Sequence, residues 1–320
     1  MRGLAEFIMR GRWQALAVAV VGAGSLLFGW LSAAAIALVT LRKGIIDGSW
    51  LVLWALLPAL LAAWMSGDIG SIVLLAGTFV LAVILRTTVS LALAILASAA
   101  LGILGGAGLL LISGEFLDQL VVVFAEIIGD LEANMKASGE TITLPRPTPG
   151  QVAGILAAGN AVTAVLSLLL ARYWQALLYN PGGFRVEFHR LRLPVGATLI
   201  LGGLAIFLWL QASWISGWAM VWAVPLMFAG FALVHAWVAF TRRGNGSLVA
   251  FYAMWLFLDP VKGLLLGLVM ADALLDFVGT VSGRPTARKL KWKLFCWKTW
   301  VTWEVWAIRS MSRQATGAIF

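Results

Sequence analysis

Eight apolar runs, at about 14–41, 50–66, 69–86, 88–113, 150–172, 195–212, 217–240 and 248–279, leave this backbone little choice of solvent. A helix needs about 20 apolar residues to cross a bilayer, and lipid offers nothing to an unpaired peptide group, so runs of this kind fold as membrane helices. The 320 residues are 62% hydrophobic and only 12% charged, with a mean hydropathy of +0.96, which is more apolar surface than a soluble core hides. The expected class is all-α: a polytopic transmembrane helical bundle with about eight to ten membrane segments, including short or re-entrant hairpins, plus interfacial amphipathic helices.

Between Gly114 and Thr148 the apolar text gives way to Glu115, Asp118, Glu126, Asp130, Glu132 and Glu140 against only Lys136 and Arg146. Arg and Lys gather instead in short connections elsewhere, which the positive-inside rule keeps in the cytoplasm, so the acidic stretch is expected to cross to the outside. Within it Leu117, Leu120, Val121, Phe124, Ile127, Ile128 and Leu131 recur at helical spacing, which predicts an amphipathic helix on the outer surface. Pro145, Pro147 and Pro149 then make an extended connector. The expected organisation is an N-terminal interfacial helix (1–13), a first membrane half (14–113), the acidic helix and Pro-rich connector (114–149), a second membrane half (150–280) and a basic, Trp-rich tail (281–320).

Single crossings by every run would put the acidic stretch on the same side as the N-terminus and Arg42-Lys43 on the other. The run at 14–41 is therefore expected to cross twice or re-enter, broken near Gly22, Gly24 and Ser25. The run at 248–279 is expected to do the same at Asp259-Pro260, because proline removes a helix hydrogen bond and disfavours helix in the residue before it. Both chain ends are then cytoplasmic. The net charge of +9 lies on membrane-flanking residues, so anionic lipid headgroups rather than nucleic acid are the expected charged partner.

Polar groups inside a membrane are costly and so attract functional readings. Asn160, Thr88 and Asp259 are nominees for a small-molecule site near mid-membrane. Asp272 and Asp276, four apart on the last run, are two further carboxylates expected to face a polar cavity or an Arg from another span. Asp259 and Lys262 are spaced to pair on one helix face. Glycine clusters at 102–108, Gly154 with Ala158, and Gly202-Gly203 suit close helix packing. Hydrolase, metalloprotease and phosphate-loop motifs are missing, there are two histidines, His189 and His235, and Cys296 stands alone, so the chain is not expected to be an enzyme or to hold a metal or cofactor.

The connection after residue 172 reads Arg172-Tyr173-Trp174-Gln175, then Asn180-Pro181-Gly182-Gly183-Phe184-Arg185, then Glu187-Phe188-His189-Arg190-Leu191-Arg192-Leu193-Pro194. Its aromatic and basic residues suit a loop at the headgroup layer, with Arg185, Arg190 and Arg192 facing the membrane surface or a partner. Together with Leu41-Arg42-Lys43-Gly44 and Ala271-Asp272-Ala273-Leu274-Leu275-Asp276-Phe277, over residues 10–280, this text resembles the YybS-like family of bacterial multi-pass membrane proteins, whose activity is not established. The family is similar in helical organisation to substrate-binding subunits of energy-coupling-factor transporters and to MreD-like envelope proteins. The resemblance implies a bacterial inner-membrane location and two readings. In the first, preferred on the sequence, the protein binds or transports a small molecule, with a separate energising membrane partner. In the second it is a scaffold of envelope assembly. The tail beyond residue 281 departs from the resemblance; Leu290, Leu294, Trp297, Val301, Val305 and Ile308 beside lysines predict an interfacial basic helix.

Overall fold

Two breaks in otherwise apolar text shape the N-terminal part of the chain, whose computed structural model describes residues 2–25, 27–138, 143–211 and 214–275. Helix α1 (Arg2–Arg10) buries Ala5 and Ile8, and its opposite face carries an Arg2–Glu6 pair one turn apart. Helix α2 (Arg12–Gly24) stops where expected, with Ser25 in an extended conformation, and α3 (Gly29–Arg42) returns against it. The two pack closely. Ser32 donates its hydroxyl to the Ala19 carbonyl at 2.6 Å, and a side chain on Gly22 would meet the Phe28 carbonyl at 3.1 Å. All of α3 from Ser32 to Leu41 is buried, so this short helix is a plug inside the protein.

The long helices surround it. Helices α4 (Ile45–Ser66), α5 (Gly70–Thr88) and α6 (Leu91–Ile112) follow with short connections. Gly67 ends α4 at φ +73°, a left-handed conformation that favours glycine. Asp68 then accepts the Gly70 N–H at 2.7 Å, and Ser90 accepts that of Leu93 at 3.3 Å.

The acidic stretch forms α7 (Gly114–Ala137), which buries Leu117 and leaves Phe124, Ile127 and Leu131 exposed. Glu132 accepts the Leu144 N–H at 2.7 Å and lies 3.7 Å from Arg146, which ties the connector back to α7. Helix α8 (Pro149–Tyr179) opens with a Thr148/Gln151 capping box and proline in its first turn. It packs against α3, α5, α6 and α7, so residues from the two membrane halves share one core, and Met1–Leu274 is one compact unit. Here the structure corrects the sequence: Arg172-Tyr173-Trp174-Gln175 is helix, not loop, and Trp174 is wholly buried. Its indole fills the core beneath the turn rather than marking the headgroup layer.

Gly182, at φ +83°, leads into the short α9 (Gly183–His189). Helix α10 (Val195–Leu210), a 3-10 turn at Ser216–Trp218, α11 (Ala219–Phe240), α12 (Asn245–Phe257) and α13 (Asp259–Leu275) complete the described chain. The α12–α13 pair bends by 114° at Leu258, where the Asp259-Pro260 signal placed a break. Five helical segments among the described residues, α4, α5, α6, α8 and the 3-10 turn with α11, are long and apolar enough to cross a membrane, or six with the bent pair. With Leu53, Leu57, Leu60, Leu61 and Trp64 exposed along α4, the molecule is an all-α, multi-pass integral membrane protein.

Side-chain contacts sort the loops into two ends. Arg86 donates to the carbonyls of Thr40 (3.1 Å) and Leu41 (2.6 Å), Arg42 lies 4.0 Å over the Tyr179 ring, and Arg12 is 3.6 Å from Asp47, so these connections share one basic end. At the other, acidic end a side chain on Gly67 would lie 3.4 Å from Phe116, and Gln151 donates to Ser216 at 3.0 Å. The α2–α3 tip lies between them: Ser167 donates to the Trp30 carbonyl at 3.1 Å, and Gly24 faces Pro58. Pro58 lies about 20 Å along the roughly 33 Å of α4 at helical rise, so the first hairpin reaches about two-thirds of the bundle's depth.

Candidate functional site

Asn160 sits on α8, half-buried, and its amide has no hydrogen-bond partner among the described residues. It lines a cavity of about 10 Å³ with Val73, Gly77, Ser98 and Gly102, between α5, α6 and α8. Ser98 already donates to the Ile95 carbonyl at 2.6 Å. That volume holds about one water molecule, whereas small-molecule sites run to about 300–1,000 Å³.

Thr88 does not join it. The Asn160 amide nitrogen lies 3.3 Å from where a Gly70 Cβ would stand, at the start of α5, and Thr88 is the last residue of that helix. Helical rise separates the two ends by about 27 Å. Thr88 is exposed and donates to its own helix, at the Ile84 carbonyl, 2.6 Å away.

Asp272 is buried at the end of α13 and has found the arginine that its cost demanded. Arg192, from the segment between α9 and α10, places Nη2 2.5 Å from Oδ2 of Asp272 and 3.1 Å from its carbonyl oxygen, with Nε 3.2 Å from Oδ2. The carboxylate is thereby neutralised and α13 is fastened at the basic end. The expected neighbour, Asp276, lies outside the described residues.

Arg185, on α9, and Arg190, just after it, are exposed at the basic end, while Arg192 is spent on Asp272. Helix α9 is held down by Arg172, which reaches Glu187 and Gln175, both at 2.7 Å. A run of ring contacts continues inward, from Phe184 to Phe188, to His235, to Tyr252 and to Phe231. His235 shares a 2.9 Å hydrogen bond with the Tyr252 hydroxyl, a partner on α12.

The least expected surroundings belong to Asp259. It pairs with Lys262 at 2.6 Å, as the spacing predicts, yet its side chain is 91% exposed and that of Lys262 45%. Helix α12 buries no residue, and Leu256, Phe257, Leu258 and Leu264 around the pair are all exposed. Trp255 packs on Phe231 and Leu265 on Gly230, so the residues flanking the break are set against α11 about 14–15 Å from its C-terminal, basic end at helical rise. A charged pair thus stands on an open apolar surface beside the middle of α11, and spacing alone gave no sign of that exposure.

No family model, curated protein or solved structure matches the chain.

Proposed function

We propose that this membrane protein is a scaffold of bacterial envelope assembly, which receives another membrane-protein chain on the open face of α12 and α13. The observation that carries the reading is the exposed Asp259–Lys262 pair amid Leu256, Phe257 and Leu264. Lipid tails give such a pair no partner, and an ion pair facing hydrocarbon is costly, whereas a protein surface with polar groups of its own removes that cost. The small-molecule reading is less well supported. Its nominees Asn160, Thr88 and Asp259 occupy separate places, and the cavity beside Asn160 has room for one water.

The resemblance of the text at 41–44, 172–194 and 271–277 to the YybS-like family, itself similar to MreD-like proteins as well as to transporter substrate-binding subunits, is compatible with a scaffold in the inner membrane. So is a basic end bearing Arg185 and Arg190, suited to anionic headgroups. A cysteine placed at Leu264 or at Leu61, each in a Cys296→Ala background, tests the reading in native membranes with a lipid-soluble maleimide. Shielding of position 264 relative to the lipid-facing position 61 is expected. Equal labelling overturns the scaffold reading.

A further inference from the structure

The run of rings from α9 through α11 to α12 carries polar groups among its apolar ones. Arg185, Phe188 and His189 share one face of α9, because residues three and four apart on a helix are neighbours. That face meets α11. The rings of Phe188 and His189 lie 5.6 and 6.4 Å from that of His235, and Arg185 is near enough for its charge to act there. From α12 the Tyr252 hydroxyl reaches His235 at 2.9 Å. Glu187, two residues on from Arg185, stands on the other side of α9, where Arg172 holds it at 2.7 Å.

We propose that Arg185, His189, His235 and Tyr252 form a binding site for an anionic phosphate group, which fastens α12 to α9 and α11. A guanidinium, two imidazoles and a phenol from three elements offer N–H and O–H donors to one small region, and a guanidinium fits phosphate oxygens with two parallel hydrogen bonds. When His235 donates from Nε2, the Tyr252 hydroxyl hydrogen is available to a ligand oxygen. The same guanidinium repels a metal cation. His235 stands five residues, about 8 Å, before the end of α11 at Phe240, so the site opens near the basic end of the bundle. Arg185 and Tyr252 are exposed there and can be reached. Helix α12 buries no residue and leans on α11 through rings, Phe251, Tyr252 and Trp255 against Phe231, so a ligand shared by Arg185 and Tyr252 links α12 directly to α9. The site does not depend on which chain the face of α12 and α13 receives.

The full chain in detergent, offered phosphatidylglycerol, diacylglycerol with the same acyl chains, or inorganic phosphate, tests this by native mass spectrometry and thermal melts. Phosphatidylglycerol or inorganic phosphate is expected to bind and to raise the melting temperature, and diacylglycerol is not. A response to phosphatidylglycerol alone identifies a lipid as the source of the group, and a response to inorganic phosphate shows that the site fills from water. Arg185→Gln, at an exposed position, is expected to weaken binding about tenfold. Tyr252→Phe, which keeps the ring on Phe231, is expected to weaken it about threefold. Arg10→Gln removes another exposed charge from α1, which packs on α2, α3 and α8, and is expected to change affinity less than about twofold. Equal losses from Arg185→Gln and Arg10→Gln mean diffuse attraction to a basic surface and overturn the site. So does binding of neither phosphate compound more tightly than diacylglycerol, and the scaffold reading stands in both cases.

Discussion

Asp272 is expensive by position and inexpensive by partnership. Only 6% of the residue is exposed, and it is Arg192, 80 positions earlier, that supplies the counter-charge. Removing one partner of such a pair leaves the other without compensation, and Arg192, itself one-third exposed, recovers part of the loss from water. Asp272→Ala is therefore expected to destabilise the protein by about 2 kcal/mol, read as a lower melting temperature in detergent. The double variant Arg192→Met, Asp272→Leu is expected to regain most of it, since an apolar pair of similar volume avoids burying either charge. Arg86 acts at the same scale: its guanidinium closes the carbonyls of Thr40 and Leu41 that α3 leaves open at its C-terminus. Arg86→Met should cost about 1 kcal/mol by the same melt. Sequence reading reached an unnamed arginine for Asp272 because an intramembrane acid needs a counter-charge. It did not reach Arg192, because that choice is made by tertiary packing across a separation no local pattern encodes.

Elements were more legible than partners. Breaks at Gly24–Ser25 and before Asp259-Pro260 follow from glycine and proline chemistry that acts within a few residues, and both helices end there. The end of α8 was misread because arginine beside tyrosine and tryptophan looks the same in a headgroup loop as in a helix whose tryptophan turns inward. Exposure of α12 was illegible for a similar reason: its apolar composition is that of a buried helix. The glycines expected to mark close packing do so unequally. A Cβ on Gly154 would lie 2.7 Å from the backbone of Gly217 and Trp218, whereas one on Gly203 meets nothing within 4 Å. Backbone cannot yield as a flexible side chain does, so Gly154→Ala is expected to cost about 3 kcal/mol through overpacking of α8 against the 3-10 turn. Gly203→Ala should be neutral or stabilising by up to about 1 kcal/mol, the ordinary gain from alanine in a helix. Reversal of that order in thermal melts would separate glycine spacing from packing at this seam.

At the scale of the whole molecule, contacts between side chains divide the loops between a basic and an acidic end without reference to any membrane. Arg86 on the carbonyls of α3 and Arg42 over Tyr179 hold one end together, while Gln151 with Ser216 and Gly67 beside Phe116 define the other. The positive-inside rule then predicts one orientation for the whole bundle, because no loop can change sides without dragging its packed neighbours. In intact cells a membrane-impermeant maleimide applied outside is expected to label a cysteine at Asn134, exposed on α7, and to miss one at Asn245, exposed at the start of α12. Leu27, 76% exposed at the tip of the α2–α3 hairpin, makes a sharper test. That tip stops level with Pro58 and Ser167, about two-thirds of the way along α4, so the hairpin is expected to enter from the basic end and return without surfacing. A cysteine at Leu27 should therefore resist the outside reagent yet react with a lipid-soluble one. Labelling there from outside would mean that the hairpin crosses the bilayer, and that the short α3 reaches the far surface only because the membrane thins around it.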